Sequence, residues 1–267
     1  MDRIKGVDLS SFQSNLTMQD VKDAGYDFAI LRGGFTGYGN LSLNIDKAFT
    51  KFYEESRKIG FPVGVYWYSC ANNELQAIRE AEYLYDQILK GRKFEYPIYI
   101  DVEEEKWQGK DPKGVTDAII AFCDYLEEKG FFVGIYASLS WFKSKIQTSR
   151  LNKYSKWIAS WTVAEPSFDH PGFQMWQHSG DISGDRVYYI KKTMVDTDFA
   201  FLDFPKIMKD QGLNGYKEGT GDDSGDNSGE DPEQLKIRIK ELEADLSEIT
   251  LKYESLKTRL KILVSNL

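Results

Sequence analysis

Histidine is nearly absent from this chain of 267 residues, which holds only His170 and His178. With no HExxH pair and no Gly-rich phosphate loop, the familiar zinc-protease and nucleotide-binding patterns are excluded. Cysteine is as scarce. Cys70 falls in an expected strand and Cys123 in an expected helix, and the simplest reading is two buried free thiols rather than a disulfide framework. Long apolar runs are missing too: no stretch approaches the roughly 20 residues that a membrane span requires. The N-terminus "MDRIKGVDLS" has no apolar signal core, so the expectation is a protein made in the cytoplasm without a signal peptide and without a membrane partner. Basic residues are outnumbered, 34 against 42, for a formal net charge of -8, which argues against nucleic acid or an anionic membrane as a charge-driven partner.

What the sequence does have is aromatic side chains, 14% of the total with 6 Trp, 16 Tyr and 16 Phe. Sugar-binding clefts use such rings, and so do cores. At this length the chain can bury one large core and leave residues over for an appendage.

Short β-type runs alternate with amphipathic stretches. "KGVDLSSF", "FAILRGG", "PVGVYWYS", "YPIYIDVEE" and "FVGIYASLS" are separated by expected helices near 17 to 25, 44 to 60, 74 to 90 and 113 to 129. This is the rhythm of parallel strands with crossover helices. Three further strands, "KWIASW", "FQMWQHS" and "TMVDTDFAFL", follow with too little chain between them for full helices. Eight strands with about five crossovers suit an α/β fold, an irregular (β/α)8-like barrel, better than an open doubly wound sheet.

The barrel is expected to span residues 1–210. Residues 211–232 hold six acidic residues against one Lys, with Gly and Ser between them, and read as a self-repelling linker. From Leu235 the apolar positions alternate in steps of four and three, through Ile239, Leu242, Leu246, Ile249, Tyr253, Leu256, Leu260 and Leu263 to Leu267. That is a coiled-coil seam over 233–267, and it predicts a homo-oligomer.

The chemistry concentrates in "YIDVEEE", where an apolar run meets four acids. On an extended strand Tyr99, Asp101 and Glu103 face one way and Ile98, Ile100 and Val102 the other. Asp101 and Glu103 are then neighbours about 6.5–7 Å apart at Cα, at the C-terminal rim where a parallel barrel collects its catalytic groups. Asp8 ends the first strand, and Asp196 with Asp198 lies on the last. Closure of a barrel sets those two strands side by side. Acids on several strands suit either oxygen ligation of magnesium or calcium or a glycosidase, with one protonated carboxyl as donor and another group stabilising positive charge at the sugar carbon. The residues alone leave both open.

Taken in order, "KGVDLSSFQ", "GVYWYS", "YIDVEEE", "GIYAS", "WIASW", "MWQHS" and "VDTDF" resemble the glycoside hydrolase family 25 lysozymes, muramidases that include many phage endolysins. The resemblance covers roughly residues 3 to 205. It implies a peptidoglycan hydrolase cutting the β-1,4 bond between N-acetylmuramic acid and N-acetylglucosamine, with no metal or other cofactor, acting on the bacterial wall after release from a host cytoplasm. Carried over onto matching positions, Glu103 would protonate the leaving oxygen. Asp101 would act with it, orienting the substrate's own 2-acetamido group, and Asp8 and Asp196 would position sugar and tune charge. Tyr66, Tyr136, Trp161, Gln177, Arg32 and Asp198 would contact substrate, although each has a packing or salt-bridge alternative. Three positions depart from the family pattern: the third strand reads Tyr-Trp-Tyr where Tyr-His-Phe is usual, and Asp198 stands where Asn is common. A catalytically silent glycan-binding barrel presented by the coiled coil, and a metal-dependent hydrolase, are the competing readings.

Overall fold

The computed structural model describes residues 3–105, 108, 111–161, 165–167, 172–180 and 187–217. The expected coiled coil over 233–267, most of the expected linker, and His170 lie outside the described residues.

The strands are β1 (Ile4–Leu9), β2 (Phe28–Thr36), β3 (Leu43–Ile45), β4 (Val63–Tyr68), β5 (Ile98–Asp101), β6 (Val133–Ser138), β7 (Ser155–Ala159), β8 (Met175–Ser179), β9 (Tyr188–Ile190) and β10 (Thr193–Ala200). Eight of them close in the order β1, β2, β4, β5, β6, β7, β8, β10, and β10 pairs back onto β1. Neighbours from β1 through β8 run parallel, whereas β10 is antiparallel to both β8 and β1. The connection before β10 explains this reversal. It contains β9, which folds onto β10 as a hairpin, and so has no length left for a parallel crossover.

The helices are α1 (Met18–Asp23), α2 (Phe49–Ile59), α3 (Glu74–Leu84), α4 (Pro112–Glu128), the short α5 (Leu139–Ser144) and α6 (Phe204–Asp210). Local chemistry sets their ends. The Asp111 side chain caps the first amides of α4 and Pro112 supplies its first residue, while α2 stops at Gly60 in the left-handed conformation. Two expected helices start or end elsewhere. Residues 43–45 pair with β2 as β3, and the Asp46 carboxylate accepts the Ala48 amide just ahead of α2. The α-helical part of 74–90 ends at Leu84 and continues as one π-type turn, Tyr85–Leu89. The hairpin strand β9 and α6 were not expected from the sequence.

Alternation along β5 sorts the core into two layers, as the pattern predicts. Ile98, Ile100 and Val102 pack outward among Val115, Ile119 and Phe122 of α4. Tyr99 points inward with Phe28, Tyr96, Tyr136, Trp157 and Met175. Rings of this size fit inside a narrow barrel only where the next strand offers no side chain. A Cβ on Gly134 would lie 2.4 Å from the Tyr99 ring, and one on Gly6 would lie 2.2 Å from Phe28.

The end of the barrel opposite the strand C-termini is closed by the segment after α6. Asn214 is fully buried, and its backbone has a positive φ of 53°, a conformation that Asn tolerates better than most residues. Its side-chain Oδ1 accepts the Phe132 amide at 2.7 Å, and its Nδ2 donates to the Tyr96 carbonyl at 2.8 Å. Its own backbone exchanges hydrogen bonds with Phe94 and Gly130. Nearby, the Tyr216 hydroxyl donates to Glu95, which also forms a two-pronged ion pair with Arg57. Barrel packing therefore continues past residue 210 to at least Tyr216. Asn214→Ala leaves two buried backbone groups unpaired, and the expected loss is about 2–4 kcal/mol of unfolding free energy, read as a lower urea midpoint with an unchanged slope.

Candidate active site

The strand C-termini surround an open cleft of about 570 Å³ lined by Asp8, Arg32, Tyr66, Tyr68, Asp101, Glu103, Tyr136, Trp161 and Asp196, among others. A deeper recess of about 100 Å³ adds Trp157 and Gln177. Each acid arrives by strand register. Asp8 near the end of β1 stands directly opposite Asp196 on β10, the juxtaposition that closure of the first strand onto the last requires. Asp101 is the last residue of β5, beside Tyr68 of β4 and Tyr136 of β6. Glu103 lies two residues beyond it and is exposed at the mouth, whereas Asp101 is only 4% exposed.

One amide joins the walls of the recess. Gln177 Nε2 donates to Asp8 Oδ2 at 2.8 Å, and Gln177 Oε1 accepts from the Tyr136 hydroxyl at 2.8 Å and from Trp161 Nε1 at 3.1 Å. This arrangement fixes the amide's orientation, since only a carboxylate faces its NH2 side and only donors face its oxygen. Gln177 therefore locks Asp8, Tyr136 and Trp161 as a unit.

The carboxyls repel one another in a poorly hydrated bowl. Burial raises the Asp101 carboxyl well above the usual range, the charges of Glu103 and Asp8 push it further, and Arg32 pulls back. Asp8 keeps partial solvent contact, yet lost hydration still moves it up to about 6, against the Gln177 hydrogen bond and the charge of Arg32. One Asp101 oxygen, Oδ1, is buried with no hydrogen-bond partner. A carboxyl in that state is a place to hold a proton rather than a charge.

Of the ten residues singled out in the sequence, nine line the cleft or its recess. Asp198 does not. It shares a face with Asp196 but lies one pleat deeper, 1% exposed, where its Oδ1 accepts from Trp157 Nε1 at 2.8 Å. There it holds the indole, one layer below the residues that line the cleft. Arg32 lines the cleft, but its Nε donates to Asp46 Oδ2 at 2.7 Å and its Nη2 to Ser11 Oγ at 3.1 Å, so its charge is paired within the rim. Its guanidinium also lies over the rings of Phe12 and Phe35.

Phe12 and Tyr68 were missed. Phe12 is 80% exposed on the lip of the cleft, held there by a turn in which Ser10 and Gln13 cap each other. The Ser-x-x-Gln spacing of "SSFQ" was the available signal. Tyr68 donates its hydroxyl to Glu104 at 3.2 Å. Among the described residues, no group of three or more His, Cys, Asp or Glu is placed to hold a metal ion, and no helix is long and apolar enough to cross a membrane.

The sequence profile of Glycosyl hydrolases family 25 matches residues 7–185. An autolytic lysozyme of Clostridium acetobutylicum is 28% identical over 185 residues, which are 68% of this chain and 52% of that protein. The chain thus spans about half the length of this curated relative. Among solved structures, the modular autolysin LytC from Streptococcus pneumoniae, determined with a synthetic peptidoglycan ligand, superimposes with a TM-score of 0.64 at 24% identity, covering 74% of this chain and 47% of that one. A family 25 glycosyl hydrolase from Bacillus anthracis superimposes with a TM-score of 0.60 at 23% identity, covering 74% and 89%. The profile match covers about two thirds of the sequence and runs from the second half of β1 through β8, with Asp8, Asp101, Glu103 and Gln177, and on that ground the chain belongs to glycosyl hydrolase family 25.

Proposed function

We propose that the protein is an N-acetylmuramidase that cleaves the β-1,4 bond between N-acetylmuramic acid and N-acetylglucosamine in bacterial peptidoglycan, as a lysozyme of the phage endolysin kind. The observation that carries this reading is the cleft itself: Asp8, Asp101, Glu103 and Asp196 around one aromatic-walled bowl wide enough for a sugar ring. Family membership and the likeness to an autolytic lysozyme support the reaction class.

In this reading Glu103, the accessible member of the pair, gives its proton to the glycosidic oxygen as the bond to the anomeric carbon breaks. The 2-acetamido oxygen of the same sugar closes onto that carbon, and water, giving up a proton to the Glu103 carboxylate, then opens the ring so formed. Asp101 accepts the acetamido N–H and offsets the positive charge. The open cleft favours the proton on buried Asp101, whereas the reaction needs it on Glu103. Sugar binding would cover Glu103 and exclude water from the mouth of the cleft, the setting in which it donates. Tyr66, Tyr136 and Trp161 frame the sugar, and Gln177 holds Asp8 at its side.

The C-terminal heptads are read as an oligomerisation or wall-binding helix, so that several barrels act on one polymer and avidity offsets the weak attraction of an acidic domain for an anionic wall.

Three measurements test these points. Digestion of purified peptidoglycan, with mass spectrometry of the sugar ends, is expected to yield new reducing muramic acid ends from the intact protein and at least about 10²-fold fewer from Glu103→Gln. Equal cutting by both would remove Glu103 from its role. Asp8→Asn tests the cost of the acid cluster. Asp8 binds its proton more tightly folded than unfolded, so its penalty is absent below about pH 4 and grows as pH rises through 6. The Asn variant is expected to be more stable than the parent by about 1–3 kcal/mol at pH 8, with the gap closing at pH 4. Sedimentation of the intact chain against a chain ending at Lys217 is expected to show an oligomer and a monomer. Two monomers would overturn the tail assignment.

A further inference from the structure

Behind the cleft, and outside its lining, Glu80 of α3 is 2% exposed. Its Oε1 accepts from Thr36 Oγ1 at 2.6 Å and from the Cys70 amide at 3.2 Å, and its Oε2 accepts from Ser69 Oγ at 2.6 Å. Each hydroxyl is also an acceptor on its other side. Thr36 Oγ1 already accepts from Trp67 Nε1, and Ser69 Oγ from the Ala71 amide, so both hydroxyl protons turn to Glu80. Both carboxyl oxygens therefore act as acceptors, an arrangement suited to the ionised form although burial moves the group up to about 7.

The segment that Glu80 grips, Ser69–Ala71, directly follows Tyr68 and abuts the loop that carries Glu103. The Ser69 amide donates to the Asp101 carbonyl at 3.0 Å. The Ala71 carbonyl accepts from Gln108 Nε2 at 2.9 Å, Gln108 Oε1 accepts the Glu104 amide at 3.1 Å, and the Gln108 amide returns to the Glu104 carbonyl at 2.9 Å. Gln108 is 1% exposed. Glu103 thus sits between two anchors: Val102, whose amide is bonded to the Tyr136 carbonyl at 3.0 Å, and Glu104, held through Gln108. The second anchor has no strand beneath it. It is tied through Gln108 to the Ala71 carbonyl, beside the Tyr68 hydroxyl that bonds the Glu104 side chain at 3.2 Å, and Glu80 bonds the segment that carries that carbonyl.

We propose that Glu80 is a positioning residue for Glu103, acting through Ser69–Ala71 and Gln108 to fix the loop on which the proton donor stands. The proposal rests on the muramidase reading for its effect on turnover but not for its effect on the loop. The replacement Glu80→Gln keeps the volume and turns one acceptor oxygen into an NH2 that faces donors.

The test uses Glu80→Gln, Gln108→Leu and the double variant in the full chain, each checked for folding by circular dichroism. On soluble uncrosslinked glycan strands, each single variant is expected to lower kcat about 10-fold or more with KM within about 2-fold, and the double to fall no further than the worse single, because both act through one chain of contacts. A loss shared between kcat and KM, or singles whose losses multiply in the double, would overturn it. Amide hydrogen exchange at Glu104 gives a readout independent of activity: in Glu80→Gln it is expected to rise at least about 10-fold, while the Ile100 amide in β5 stays protected. An unchanged Glu104 amide would end the proposal even in an active enzyme. A faster Glu104 amide in a chain whose parent cuts no glycan would uphold the brace and reject the muramidase reading instead. If Glu80→Gln does not fold, Gln108→Leu alone carries the same two readouts.

Discussion

The indole of Trp157 fills the barrel just below its mouth, and the cleft takes its shape from that ring. Tyr136 packs against it edge-on at 4.5 Å between centroids, Tyr99 at 5.2 Å and Tyr66 at 6.2 Å, while its N–H is held by Asp198. Tyr66 and Tyr136 line the cleft while resting against the indole, and Tyr136 bonds Gln177, which in turn bonds Asp8. A floor of interlocked rings has few alternative packings, so the polar groups above it inherit fixed positions without a loop having to supply them. The same floor keeps water from solvating the acids from beneath.

That exclusion of water is the source of both the chemistry and its cost. In open solvent, carboxyls at these strand ends would ionise independently and repel weakly. Above an aromatic floor, with Arg32 turned toward Asp46, there is too little counter-charge for all of them. Asp101 and Asp8 are pushed toward their protonated forms, a state that suits acid chemistry and costs folding stability. Two nearby buried acids show the alternative. Glu95 lies against Arg57 and is held below the usual range, and Asp46 is met by Arg32 and by the Ser11 and Ala48 amides. Glu95 and Asp46 are each met by an arginine, whereas Asp101 in the cleft and Asp198 beneath it each keep one buried oxygen without a hydrogen-bond partner.

Strand alternation and the expectation of closure were enough to bring Asp8, Asp101, Glu103 and Asp196 to one rim, because side-chain parity along a strand and adjacency of first and last strands are rules that need no contact list. They failed at depth. Parity places Asp198 with Asp196, but which of two residues on one face reaches the mouth depends on where the strand crosses the floor, and here Trp157 takes Asp198 for itself. Sequence reading also missed what lies in hydrogen-bond networks between distant segments. Glu80 reads as an ordinary helix carboxylate because its partners stand 44, 11 and 10 residues away. The three-residue strands β3 and β9 are too short to show a period.

The segment after residue 210 shows why composition alone misplaces a boundary. "NGYKEGTGDDSG" reads as a linker because it lacks aliphatic residues, and for most of its length that argument concerns cohesion by apolar burial. The first residues of the segment are held by a different force. Asn214 contributes almost no apolar surface, yet it satisfies backbone groups of two separate strand-entry loops, Lys93–Tyr96 and Gly130–Phe132, which would otherwise be buried without partners. The left-handed backbone at Asn214 and the Gly at 215, whose Cβ would strike the Arg92 carbonyl at 2.2 Å, let the chain come close enough to do so. Residues typical of a flexible tail are in this case the residues able to make a tight polar plug, so the last of the described residues close the barrel in the vocabulary of a linker. A truncation placed by composition at 210 would remove that plug, and a loss of activity in such a fragment would report on the barrel rather than on the heptads.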